Sequence, residues 1–219
     1  MIRHKGFGRL LLALLLYLVV SPFIPPESVA ALGVHAWLSL VLFFAASAVQ
    51  KGHNHRSIAL SILGITLILY WLNIFGVFSF GAISSICLFV LFYALLIYAF
   101  VGQLMRAEEV DKGLIAAALC LYLIIGLFWG AVYNLAHELD NGAFAGNLID
   151  QAGAIKLHVF NYFSMVTLTT LGYGDITPQT PGAGALCQME AIVGQFFTAV
   201  LVGWLVGMYR RPTKLSTQD

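Results

Sequence analysis

Six times along this chain an apolar run reaches or approaches the about 20 residues that a helix needs to cross a hydrocarbon core of about 30 Å. The runs fall near 9–25, 31–50, 57–77, 81–104, 113–136 and 185–209. Few folds are open to such a chain, because a backbone in lipid must satisfy its own N–H and C=O groups. The composition agrees: 60% of residues are hydrophobic and 10% charged, against about half and roughly a quarter in a soluble globule. The expected fold class is an all-α membrane protein with six transmembrane helices. A further apolar stretch, 157–171, is too short to cross with its flanks. It reads as a re-entrant helix followed by extended backbone, which is tolerated at membrane depth only where protein or a water-filled cavity surrounds it.

The basic residues orient these spans. With the amino terminus in the cytoplasm, Arg3, Lys5, Arg9, Lys51, Arg56, Arg106, Lys112, Arg210, Arg211 and Lys214 all lie inside, and only Lys156 lies outside, as the positive-inside rule asks. Both termini are then cytoplasmic, and the expected location is the plasma membrane, or the inner membrane of a bacterium. Glu27, Glu138, Asp140, Asp150 and Asp175 fall outside, an acidic face that concentrates cations over the short range that salt allows. No basic stripe suits nucleic acid. Cys87, Cys120 and Cys187 all sit in apolar runs and read as buried thiols rather than a disulfide or metal framework. The first 30 residues also have the layout of a signal peptide, with Ser28, Val29 and Ala30 at the cleavage position. Pro22, Pro25 and Pro26 equally suit the outer end of a short retained helix.

The most specific motif is Thr170-Leu171-Gly172-Tyr173-Gly174-Asp175. A K⁺ ion leaves water only where oxygens at the right spacing replace its hydration shell, and stacked rings of backbone carbonyls do this when four chains meet on one axis. Pointing successive carbonyls one way requires a backbone of alternating hand. Gly172 and Gly174 can take positive φ without a Cβ clash. One such loop cannot close a fourfold ring, so a homotetramer is expected.

With Tyr162-Phe163-Ser164-Met165-Val166-Thr167-Leu168-Thr169 ahead of that motif, residues 113–209 resemble the pore module of tetrameric potassium channels. The resemblance implies two domains: 1–112, a four-helix membrane domain, and 113–219, a pore domain. The latter would hold an outer helix at 113–136, a pore helix at about 158–169, the filter at 170–175 and an inner helix at 185–209. It also implies that the carbonyls of Thr170, Leu171, Gly172 and Tyr173, with the Thr170 hydroxyl, bind K⁺ as the permeant ion, with no cofactor. Leu171 stands where the family usually has Val. Two adjacent Trp often brace the filter from the pore helix, and here those positions are Tyr162 and Phe163. Tyr162 keeps a hydroxyl for Asp175. Phe163 has no donor, which leaves Thr167 to hold Tyr173, unless the aromatic pair serves packing alone. Thr169 lies at the junction with the cavity, where the resemblance also puts Gln195, Thr198 and Val202. Gly194 is either a gating hinge or a close-packing site. Glu190, a carboxyl group at membrane depth, is expected to be neutral or paired behind the pore helix, with a structural or a gating role.

Residues 81–104 carry no charge, so the fourth span lacks the Arg or Lys series of a voltage sensor. Residues 106–112 read as a solvated elbow, and His53 and His55 as a solvated loop rather than a metal site. The implied activity is passive K⁺ conduction, with K⁺, membrane lipids and further copies of the chain as partners. A weakly selective cation channel and a non-conducting channel subunit are the alternatives. An enzyme is not expected, since no nucleophile–base set or metal cluster is present, and a transporter would show repeated broken helices.

Overall fold

The computed structural model describes residues 6–24, 29–48, 61, 63–68, 71–72, 75, 81–107, 110–152 and 156–209. It is almost wholly helical. In chain order the bounded elements are α1 (Phe7–Val20), α2 (Val29–Ala48), α3 (Gly81–Leu104), α4 (Lys112–Leu139), β1 (Phe144–Ala145), α5 (Asn147–Gln151), α6 (Leu157–Leu168), β2 (Thr177–Pro178) and α7 (Pro181–Tyr209). Residues 63–68 and 71–72 are helical as well. Most of the span expected at 57–77, the His53/His55 loop, Glu108 and Glu109 of the elbow, and residues beyond 209 lie outside the described residues.

Among the described residues, three helices are long and apolar enough to cross a membrane: Ile83–Leu104, Lys112–Leu139 and Pro181–Trp204. The apolar stretches Phe7–Phe23 and Leu32–Ala46 are shorter. α3 has the bounds read from its charge-free run. α4 starts where Asp111 accepts a 2.7 Å hydrogen bond from the Leu114 N–H, an N-cap that satisfies an otherwise orphaned donor. α7 begins four residues before the expected 185. Thr180 caps it through the Ala183 N–H at 3.2 Å, and Pro181 brings a φ already suited to a first helical turn.

α4 is the hub. α1, α3, α6 and α7 all pack on it. α1 buries Phe7, Leu10, Leu14 and Tyr17, a stripe at helical spacing, and its Tyr17 hydroxyl accepts a 3.5 Å contact from the Asn161 side-chain amide of α6. The first helix therefore touches both α4 and α6. Cys120 is buried, but Cys187 is only half-buried and Cys87 is exposed on the face of α3, which corrects the expectation of three buried thiols. An apolar run confers burial only on the face that meets another helix.

Gly126 and Gly130 of α4 form a small-residue pair, of the kind that lets membrane helices approach closely. A Cβ on Gly130 would stand 2.9 Å from Asn161 Cα, a backbone atom, whereas one on Gly126 would meet the flexible Met165 side chain. Gly130→Ala is therefore expected to destabilise the protein by about 1–3 kcal/mol, and Gly126→Ala by clearly less. Thermal unfolding of the detergent-solubilised variants checks this order.

Candidate functional site: the loop after α6

α6 is displaced by one residue from the pore helix expected at about 158–169, and it is followed by non-helical chain. Its last turn closes through Thr169 N–H to Met165 C=O at 3.1 Å, Thr170 N–H to Thr167 C=O at 2.9 Å and Leu171 N–H to Val166 C=O at 2.9 Å. From there the backbone changes hand at every second residue. Thr170 has φ 59°, Gly172 φ 59° and Gly174 φ 78°, and Leu171 and Tyr173 between them stay out of the positive range. Gly172 and Gly174 do what glycine does freely. Thr170 does not, since a β-branched residue at positive φ is strained and persists only where its surroundings impose it. Composition gives no warning of that third position.

The two ends of the loop are tied together. β1 pairs antiparallel with β2, Phe144 opposite Pro178 and Ala145 opposite Thr177, and the Gln179 N–H donates to Ala143 C=O at 2.9 Å. The chain before α6 is thus hydrogen-bonded to the chain after the loop. Tyr162 donates its hydroxyl to Asp175 Oδ2 at 2.6 Å, while Asp175 Oδ1 accepts the Ile176 N–H at 3.1 Å. That hydrogen bond to the carboxylate, followed by burial and charge, pushes the Tyr162 phenol up to about 12, so it remains a donor through neutral pH.

The aromatic pair of α6 divides its work. Tyr162 reaches Asp175, and Phe163 is buried against Tyr133 and Phe144, with ring centroids 5.0 and 5.6 Å away. The Thr167 hydroxyl donates back to Phe163 C=O at 2.9 Å, within its own helix rather than to Tyr173. Tyr173 and Leu171 are exposed in the single chain.

Below the loop, the Gln195 amide of α7 donates to Thr170 Oγ1 at 3.3 Å. The Thr169 hydroxyl donates to Met165 C=O at 2.7 Å and closes the end of α6. The Thr198 hydroxyl bonds its own helix at Gln195 C=O, 3.0 Å away, and Val202 is exposed. Gly194 lies against the Leu168 carbonyl, where a Cβ would also stand 3.0 Å from Leu168 Cδ1. The Leu168 carbonyl also accepts from the Tyr122 hydroxyl at 3.3 Å. Glu190 is fully buried behind α6, bonded to Tyr133 and Ser164. It does not share the exposed face of Gln195 and Val202. Tyr133 and Ser164 are the functional candidates that sequence reasoning missed, although a hydroxyl in an apolar run facing a buried carboxyl group is a readable signal.

The family match falls on this same region. A family described as "Ion channel" matches residues 117–211. The inward rectifier potassium channel Kirbac3.1 of Paramagnetospirillum magnetotacticum is 28% identical over 93 residues, 42% of this chain and 28% of that protein. Two pore potassium channel c of Oryza sativa subsp. japonica is 34% identical over 86 residues, 39% of this chain and 18% of that protein. The matches thus span less than a third of either relative. The family match covers α6, the alternating loop and most of the two long helices that flank it. Over this region, under half of its length, the chain, a multi-pass membrane protein, is similar to ion channels, two potassium channels among them.

Proposed function

We propose that this chain is one subunit of a homotetrameric channel that conducts K⁺ passively across the plasma membrane, or the inner membrane if the cell is bacterial. In this reading it has six spans, cytoplasmic termini, a domain at 1–112 and a pore domain at 113–219. α4, α6 and α7 serve as outer, pore and inner helices. The carbonyls of Thr170, Leu171, Gly172 and Tyr173, with the Thr170 hydroxyl, replace water around K⁺. Gln195, Thr198 and Val202 line the cavity beneath. The observation that carries the reading is the alternation of backbone hand at Thr170, Gly172 and Gly174 directly after the carboxyl end of α6. That end presents the negative pole of the helix dipole to a cation.

Assembly has support in what the single chain leaves exposed. Phe196 and Val200 of α7 are both 66% exposed, an apolar face that other copies would cover around the axis. The charge-free α3 supports gating by something other than a charged fourth helix. Purified full-length protein in liposomes should pass K⁺ down its gradient, and protein that passes no ion would contradict the reading.

One observation favours a second reading, a weakly selective monovalent cation channel. Within the chain, Phe163 offers no donor and Thr167 bonds its own helix, so Tyr162 alone holds the loop from α6 through a side chain. Tyr162→Phe is accordingly expected to remove about 1–2 kcal/mol of anchoring from the loop. Its signature would be a lower K⁺ over Na⁺ permeability ratio and faster decline of current in planar bilayers, with unfolding temperature nearly unchanged.

A further inference from the structure

Glu190 lies between two other helices. The Tyr133 hydroxyl of α4 meets its Oε2, and Ser164 Oγ of α6 meets its Oε1. Ser164 Oγ also stands 2.7 Å from the Gly126 carbonyl oxygen of α4. The row therefore contains three close oxygen–oxygen contacts, and each needs a hydrogen between its oxygens to be attractive. The two hydroxyls bring one proton each, and the Gly126 carbonyl brings none. The third proton belongs to the carboxyl group. Glu190 then donates to Ser164, Ser164 donates to Gly126, and Tyr133 donates to the other carboxyl oxygen. An ionised Glu190 would leave one of the three contacts unprotonated, and no basic side chain among the described residues accompanies it.

The position of this group gives it a task. Glu190 and Gly194 are one turn apart on α7, Ser164 and Leu168 are one turn apart on α6, and the pairs meet in register: Glu190 on Ser164 and Gly194 on the Leu168 carbonyl. Thr170, where the positive φ values begin, is two residues past the second contact. We propose that Glu190, as a neutral carboxylic acid, is a positioning residue that joins α4, α6 and α7 and thereby fixes the height and angle at which α6 delivers its carboxyl end to the loop. This rests on the filter reading above. It goes beyond it in assigning the loop's geometry to a proton-bearing clamp on the inner helix, outside the loop itself. A buried polar network of this kind rigidifies only when every member is satisfied.

The test uses the purified full chain in liposomes, with Glu190→Gln and Glu190→Ala beside wild type. A glutamine amide keeps one donor for Ser164 and one acceptor for Tyr133 without charge. Glu190→Gln should hold the K⁺ over Na⁺ permeability ratio within about twofold of wild type, whereas Glu190→Ala should lower it about tenfold. Infrared spectra of wild type minus Glu190→Gln should contain the carbonyl stretch of a protonated carboxylic acid. That band is independent of conduction and of how well the alanine variant folds, so it tests the clamp even if the wild-type protein carries no K⁺. The proposal is overturned if the band is absent, if Glu190→Gln is as damaged as Glu190→Ala, or if both variants keep wild-type selectivity.

Discussion

Gly172→Ala should reduce K⁺ flux to the level of empty liposomes while the protein still folds. The reason is conformational. Gly172 sits at φ 59° with no atom within 4 Å of the place a Cβ would occupy, so alanine would meet no neighbour in the chain but would be forced into a left-handed backbone. That costs an L residue roughly 1–2 kcal/mol, and four copies in one ring raise the sum to roughly 4–8 kcal/mol. The cheapest relief is a return to negative φ, which turns a carbonyl away from the axis and removes an oxygen ring. Gly182→Ala in α7, where a Cβ also meets nothing within 4 Å and the backbone is helical, is the matched control and should conduct normally. Unchanged flux in Gly172→Ala would show that the filter assignment is wrong.

Gly194→Val should have the second large effect, on folding and conduction together. A Cβ there collides with the Leu168 carbonyl oxygen and comes within 3.2 Å of Leu168 C. These are backbone atoms that cannot swing aside. Overpacking of this kind costs about 1–3 kcal/mol, and relief requires α6 to back away from α7 just before Thr170. The unfolding temperature in detergent should fall by several degrees, and K⁺ flux should fall with it. The close-packing role is distinguishable from a hinge. A glycine that serves only as a hinge can be replaced with little loss of unfolding temperature while opening is altered, so a stable but poorly opening variant would favour the hinge.

Much of the fold is legible in the sequence. The charge-free run at 81–104 is a single helix with those bounds, and the short apolar stretch at 157–171 begins as the 12-residue α6 and then leaves the helix. Gly172 and Gly174 announced a backbone of alternating hand. What stayed hidden depends on contacts between distant residues. The ladder of Phe144 and Ala145 with Thr177 and Pro178 is two residues long, too short for any periodic signal. The Thr170 φ is imposed by its surroundings against the preference of its own side chain. The partners of Glu190 come from 57 and 26 residues away, so the sequence could flag the carboxyl group but not its proton ledger. Phe163 and Tyr162, read as an open choice between packing and support, divide between the two roles because adjacent helical residues face different directions.

Four copies of the Thr170–Tyr173 backbone should select K⁺, and the reversal potential of purified protein in a planar bilayer, with K⁺ on one side and Na⁺ on the other, reads that selection out. A selective filter gives a reversal shifted far from zero in the direction that opposes K⁺ flow, reduced towards zero in Tyr162→Phe and without current in Gly172→Ala. A wild-type reversal near zero, with K⁺ and Na⁺ passing alike, would contradict it.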